Sequence, residues 1–137
     1  MKRLSILFCI LLLGTTMLFG QQTGPKFSYC KSMIDLGTLY VEELEPAMKV
    51  NIEFFNTGNQ PLVVSHVKGC CGTRVTSWTS TPINTEEKGS ISIEFRLNPT
   101  PQNISRTITA TSNDPEKPTN IIRIIGKVVE GKRPDQT

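Results

Sequence analysis

Three cysteines and one histidine are the side chains of this sequence with the most specific chemistry. Cys70 and Cys71 are adjacent, His66 precedes them closely, and Cys30 lies far upstream. Thiolates and an imidazole suit Zn²⁺ or Cu(I), so these four side chains are the candidate metal ligands. The spacing lacks a Cys-x₂-Cys pair and a second cluster, and His66 falls within a predicted strand. We therefore predict that the protein holds no metal.

The same thiols are the candidates for a disulfide. Of the four cysteines, Cys9 lies in the N-terminal segment that we expect to be removed on export, so three remain. An odd number of cysteines in an oxidising compartment predicts one disulfide and one remaining thiol. Joining Cys30 to Cys70 or Cys71 would close a loop of ~40 residues and contribute a few kcal/mol. Adjacent Cα atoms lie ~3.8 Å apart across a trans peptide, below the ~4.4–6.8 Å usual for a disulfide. The sequence leaves the pairing open.

A catalytic arrangement is not indicated. Cys70 or Cys71 could act as a nucleophile with His66 as its base, but nothing in the sequence orients such a pair. Gly69 and Gly72 flank the cysteines and are typical of a turn rather than of a phosphate-binding loop. We therefore predict no enzymatic activity, no catalytic residue and no cofactor.

The first twenty residues resemble a secretory signal peptide. Lys2 and Arg3 precede an apolar run at 4–13, which contains Cys9 and is too short for a membrane span of ~20 residues. Without this segment, which ends at Gly20, the chain has 13 basic and 12 acidic side chains, a net charge of +1. That balance argues against nucleic-acid binding. We expect an exported protein, periplasmic, on the cell surface or secreted, with no stable membrane span after processing.

Alternation of apolar and polar residues dominates the rest of the chain. Residues 50–54 and 91–95 each place three apolar side chains on one face, which is typical of half-buried strands. Turn residues such as Asn56, Gly58 and Pro61 separate such runs. The pattern predicts about seven strands, near residues 33–39, 48–55, 61–68, 74–79, 89–97, 104–112 and 120–129.

Several short strands at this spacing indicate an all-β sandwich or barrel. We assign residues 21–32 to a polar leader, 33–130 to one domain and 131–137 to a polar tail. Two antiparallel sheets facing each other would bury thirteen apolar side chains, enough to hold a domain of this size without a metal or disulfide. These are Val50, Ile52, Phe54, Leu62, Val64, Trp78, Ile91, Ile93, Phe95, Ile108, Ala110, Ile122 and Ile124.

A series of short motifs occurs in a fixed order over residues 33–129. They are Val50-x-Ile52-x-Phe54-x-Asn56-x-Gly58, Pro61-Leu62-Val63-Val64, Val67, Val75, Trp78, Pro82-Ile83, Gly89-x-Ile91-x-Ile93-x-Phe95, Ile108, Ser112-Asn113 and Ile122-x-Ile124-x-Gly126-x-Val128. In this order they resemble the DUF1573 family, whose members are exported mainly by Bacteroidetes and are similar to ASH domains. The resemblance implies an immunoglobulin-like two-sheet antiparallel sandwich of about seven strands, and export, but no established reaction.

One departure from the family concerns the cysteines. Members of the family often have Ser-Cys-Gly-Cys-Thr before the tryptophan. Counted back from Trp78, Cys71 and Gly72 match the first Cys and the Gly, whereas Thr73 replaces the second Cys and Cys70 is additional. A role that needs the Cys-x-Cys pair is therefore not carried over to this chain.

The sequence predicts a non-catalytic binding or structural module. Sandwich domains bind partners through their end loops or through an exposed edge strand. We expect a protein or glycan partner at such an edge strand or at the loops 56–61, 69–74, 98–103 and 113–119. The alternative is a periplasmic metal-binding or thiol-redox protein that uses Cys70 and Cys71.

Overall fold

The computed structural model describes residues 23–134, so the predicted signal peptide at 1–20 lies outside the described range. Within that range the chain forms eight strands and one turn of 3₁₀ helix. Seven of the strands overlap the seven predicted runs. In chain order the elements are β1 (Phe27–Tyr29), β2 (Met33–Tyr40), the 3₁₀ helix (Val41–Glu43), β3 (Met48–Asn56), β4 (Val64–Gly69), β5 (Thr73–Trp78), β6 (Lys88–Phe95), β7 (Gln102–Ser112) and β8 (Thr119–Val129).

The strands form two four-stranded sheets, in the orders β1-β3-β6-β5 and β2-β8-β7-β4. This confirms the predicted all-β two-sheet sandwich. The prediction of antiparallel pairing throughout was wrong at one place, because β2 runs parallel to β8. The chain passes from the first sheet to the second between Tyr29 and Met33 without making a hairpin. Strand β2 therefore joins the second sheet beside the last strand of the chain.

Strand β1 lies in the segment that the sequence assigns to a polar leader. It has three residues, too few for an alternating pattern to show. It pairs with the end of β3, and its Phe27 is buried with its ring stacked on that of Phe54, the centroids 4.5 Å apart. The domain therefore begins before residue 33.

The core lies between the sheets and contains eleven of the thirteen side chains predicted to be buried. The two exceptions, Val50 and Trp78, are half-buried because they lie at the lateral sides of the sandwich. The indole Nε1 of Trp78 donates a hydrogen bond to the Val64 carbonyl at 3.2 Å, which links β5 of one sheet to β4 of the other. Five further core residues were not predicted, namely Phe27, Val67, Ile83, Ile104 and Val128.

Candidate functional site

The predicted contact loops lie in pairs at opposite ends of the sandwich. Loops 56–61 and 113–119 share one end, where the Asn113 N–H bonds the Val63 carbonyl at 3.1 Å. The Oδ1 atoms of Asn59 and Asn113 accept the N–H groups of Gly24 and Val63, at 2.7 and 2.8 Å. Asn113 joins the two loops, since its Nδ2 also donates to the Pro61 carbonyl at 3.2 Å, and Asn59 holds its own loop to Gly24.

Asp114 has the same structural role at this end. Its side chain is buried, and Oδ2 accepts the Phe27 N–H at 2.9 Å while Oδ1 accepts those of Glu116 and Lys117 at 2.9 and 3.1 Å. Burial raises the pKa of Asp114, but these three N–H groups and the charge of Lys26 outweigh it and lower the pKa below its ordinary value. The carboxylate therefore anchors β1 to the loop after β7.

The lowered pKa of Asp114 predicts acid sensitivity. A carboxyl whose pKa is lower in the folded state stabilises the fold above its unfolded pKa, and this contribution is lost as pH falls through the folded pKa. We expect the free energy of unfolding of the wild-type protein to fall from about pH 5 downward. In Asp114→Asn this fall is smaller, since the amide does not titrate. Urea unfolding between pH 7 and pH 3 measures both. Parallel pH profiles for the two proteins would contradict the assignment.

Within the described part of the chain, strand β3 lacks a neighbouring strand along part of one side. Strand β1 pairs with β3 only at Phe54–Asn56, so residues 48–52 have β6 on one side and no strand on the other. The Asn56 N–H points to the β6 side and bonds Glu87, whereas the Thr57 N–H points to the β1 side and bonds Lys26. This direction alternates along a strand. Lys49 and Asn51 therefore present their backbone N–H and C=O groups to the open side.

This stretch, the open β3 edge (residues 48–52), differs from the edges formed by β2, β4 and β5. Strands β2, β4 and β5 each carry a register shift against their neighbour, at Asp35/Thr38, Val64/His66 and Val75/Ser77. Such irregularities hinder pairing with a further strand. The register between β3 and β6 runs without a shift from Met48 to Phe55. The open β3 edge is thus a regular template for another strand.

Apolar side chains lie beside the open β3 edge. Met48 and Val50 point toward the interior and are half-buried, as is Ile34 of β2. Two shallow grooves accompany this side of the sandwich. One groove, beside the end of β1, is lined by Cys30, Lys31, Ile34, Asn51, Ile52 and Glu53. The other, beside the start of β3, includes Leu39, Tyr40, Leu44 and Met48. A strand added here would find backbone partners and apolar contacts together.

Cys70 and Cys71 form the turn between β4 and β5. Cys71 and Gly72 both have positive φ, 54° and 74°, and the Thr73 N–H bonds the Cys70 carbonyl at 3.0 Å. Two central residues with positive φ favour Asn-Gly or Gly-Gly, so cysteine is unusual at the first of them. A Cβ on Gly69 would lie 2.4 Å from the Thr73 carbonyl oxygen, so the turn is tight.

The predicted disulfide is not formed among the described residues, where Cys30, Cys70 and Cys71 are free thiols. Cys30 follows β1 at one edge of the first sheet, whereas Cys70 and Cys71 precede β5 at its other edge. Three strand spacings, about 14 Å, separate those edges. Neither pairing with Cys30 is formed in this structure, because the topology places the partners at opposite edges of the sheet.

His66 does not join the cysteines either. It is exposed on β4, pairs with Thr111, and lies four residues from Cys70, roughly 13 Å along an extended strand. Among residues 23–134 no group of three His, Cys, Asp or Glu side chains is arranged to hold a metal ion. The structure thus separates the four candidate ligands into three places.

No helix within residues 23–134 has the length and apolar character needed to cross a bilayer.

The two four-stranded sheets form an immunoglobulin-like β-sandwich, similar in fold to an ASH/PapD-like domain. The chain belongs to the family described as "Protein of unknown function (DUF1573)", whose model matches residues 27–128. This confirms the resemblance seen in the sequence. No curated protein matches the chain.

Solved structures support the fold. A protein of unknown function from Porphyromonas gingivalis W83 is 22% identical with a TM-score of 0.59, covering 83% of this chain and 51% of that one. The ASH/PapD-like domain 7 of human CEP192 is 14% identical with a TM-score of 0.52, covering 88% and 99%. The secreted serine protease VesC from Vibrio cholerae is 11% identical with a TM-score of 0.59, covering 82% and 25%. This chain therefore spans about half of the first structure and a quarter of the third.

Proposed function

We propose that this protein is an exported, non-catalytic binding module that takes up an extended segment of another polypeptide on the open β3 edge. The observation that carries the proposal is the regular, unpaired stretch of β3 at residues 48–52. Addition of a strand to a free sheet edge is a recurring mode of peptide recognition, in which backbone hydrogen bonds supply affinity. Export is proposed from the signal-like sequence at residues 1–20.

A polypeptide fits this edge better than a glycan does. The unpaired groups are the backbone N–H and C=O of Lys49 and Asn51, and their natural complement is another backbone. The stretch is closed at one end by β1 and ends at the other where β3 begins at Met48. We therefore expect a bound segment of about five residues, since each strand residue advances ~3.3 Å. Alternate residues of that segment are expected to be apolar, because one face points toward Ile34 and Val50.

The loops 56–61 and 113–119 are a weaker basis for binding. At the end formed by loops 56–61 and 113–119, buried or bonded side chains such as Asn56 and Asp114 are occupied by backbone groups of the same domain. A partner there would compete with bonds that hold the domain together. On the open β3 edge, the backbone groups of Lys49 and Asn51 that face outward have no such bond to another of the described strands.

Site-specific photocrosslinking in the cells that produce the protein tests the proposal. A photoreactive amino acid replaces Lys49, whose exposed side chain borders the edge, and in a matched control it replaces Gln60 in an end loop. We expect position 49 to crosslink to one continuous segment of another polypeptide with alternating apolar residues. Crosslinking that occurs only from position 60 would contradict the proposal. A crosslinked product made of two copies of this chain would show that the edge binds a second copy of the chain and not a different polypeptide.

A further inference from the structure

The Cys70 sulfur accepts a hydrogen bond from a backbone N–H that would normally pair with a carbonyl oxygen of the sheet. The Cys70 N–H bonds the Thr107 carbonyl at 2.9 Å, as in a regular pair of β4 and β7. In such a pair the Thr107 N–H would return a bond to the Cys70 carbonyl. That carbonyl instead accepts the Thr73 N–H of the turn, and the Thr107 N–H bonds the Cys70 Sγ at 3.1 Å. The sulfur replaces a carbonyl oxygen in the ladder.

Two further groups favour negative charge on that sulfur. The Cys71 thiol lies beside Cys70, and Arg106 donates from Nη1 to the Cys71 carbonyl at 2.6 Å. The Cys71 thiol, the Thr107 N–H and the Arg106 charge lower the pKa of Cys70 despite partial burial. The same neighbour, Cys70, raises the pKa of Cys71. The two adjacent thiols therefore differ, and negative charge is favoured on Cys70 over Cys71.

We propose that Cys70 is the thiolation site of this protein, where it forms a stable mixed disulfide with a low-molecular-weight thiol supplied as its disulfide. The Cys70 thiolate attacks one sulfur of the small disulfide, and a new S–S bond forms as the old one breaks. The other half leaves as a thiolate and takes a proton from water. Electrons balance, because one sulfur of the small disulfide is reduced while Cys70 is oxidised.

The mixed disulfide at Cys70 is expected to persist. A resolving cysteine must approach the modified sulfur and form an intramolecular disulfide. Cys71 is adjacent in sequence, and Cα atoms ~3.8 Å apart are too close for ordinary disulfide geometry. The turn that holds Cys71 at φ 54° is also fixed by the bond from Thr73 to Cys70 and by Arg106. Cys30 lies at the other edge of the sheet and cannot reach the site.

Treatment of the reduced protein with oxidised glutathione tests this inference. We expect intact mass to show one adduct, and peptide mapping to place it on Cys70 of the wild-type protein. Cys30→Ser is the matched control and keeps the adduct, whereas Cys70→Ser loses it. Arg106→Gln should slow the reaction several-fold and Arg106→Lys less, because lysine retains the charge. In guanidinium, where the turn is lost, Cys30, Cys70 and Cys71 should react at similar rates.

Other outcomes would overturn the inference. An adduct that forms first on Cys30 or Cys71 in the folded protein would show that the turn does not activate Cys70. Oxidation without an adduct, with a Cys70–Cys71 disulfide found by mapping, would show that Cys71 resolves the intermediate. Equal reaction rates for folded and unfolded protein would show that the fold contributes nothing to selectivity.

Discussion

Replacing Asn56 by alanine is expected to lower the free energy of unfolding by about 3–5 kcal/mol. The Asn56 side chain is fully buried at the end of β3, where four backbone groups depend on it. Its Oδ1 accepts the N–H groups of Lys26 and Gly58 at 3.2 and 3.0 Å. Its Nδ2 donates to the carbonyls of Gln60 and Ile83 at 2.7 and 2.9 Å. One amide thus joins four separate points of the chain.

The size of this effect follows from the groups that the substitution leaves behind. A buried donor or acceptor without a partner costs about 1–3 kcal/mol, and water reaches some of the four in the variant. Asn59→Ala is the matched control, because the exposed Asn59 side chain accepts one bond, from Gly24, and should cost less than about 1 kcal/mol. Urea unfolding measures both variants. A loss for Asn56→Ala no larger than that of the control would show that this amide does not hold the end loops.

The second large effect concerns binding. Asn51→Pro removes the backbone N–H that faces the open side of β3 and leaves the N–H groups directed at β6 intact. We expect the domain to stay folded and its affinity for a synthetic peptide of the crosslinked segment to fall at least about tenfold. The reason is that a buried carbonyl of the peptide loses its hydrogen-bond donor, which lowers the binding free energy by about 1–3 kcal/mol. Calorimetric titration measures the affinity.

Two control variants separate the backbone from the side chain. Asn51→Ala removes the contact of Oδ1 with the Ser92 hydroxyl at 3.2 Å but keeps the N–H, so peptide affinity should stay near that of the wild type. Val50→Pro removes an N–H directed at β6 and should unfold the domain, since proline is excluded from paired positions. If Asn51→Pro bound the peptide as tightly as Asn51→Ala does, the open β3 edge would not be the binding site.

Much of the fold could be read from the sequence because alternation is a local signal. Runs such as 50–54 and 91–95 have one buried face, so their pattern reports the strand directly. Strand β1 was not predicted, because three residues are too few to show an alternating pattern. The burial of Phe27 also depends on Phe54, which is distant in the sequence. The parallel pairing of β2 with β8 was not predicted either, because it results from the crossover between the sheets and no local sequence pattern indicates it.

The candidate sites were less accessible to sequence reasoning. Asn56 and Asp114 looked like turn residues, and their burial became visible only when the loops of one end came together. That the cysteines are the reactive side chains stays a prediction, and the structure places Cys30 and His66 away from Cys70 and Cys71. The open β3 edge exists because β1 stops covering β3 where the chain leaves for the other sheet. An edge of this kind is a property of topology.

Amide hydrogen exchange measured residue by residue tests the central claim most directly. In the free domain, the amides of Lys49 and Asn51 should exchange fast while those of Val50 and Ile52, which point to β6, exchange slowly. Addition of the peptide should slow exchange at Lys49 and Asn51 and leave the end loops unchanged. If both amides were already protected in the free domain, or stayed unprotected in the complex, the open β3 edge would not be where this protein binds its partner.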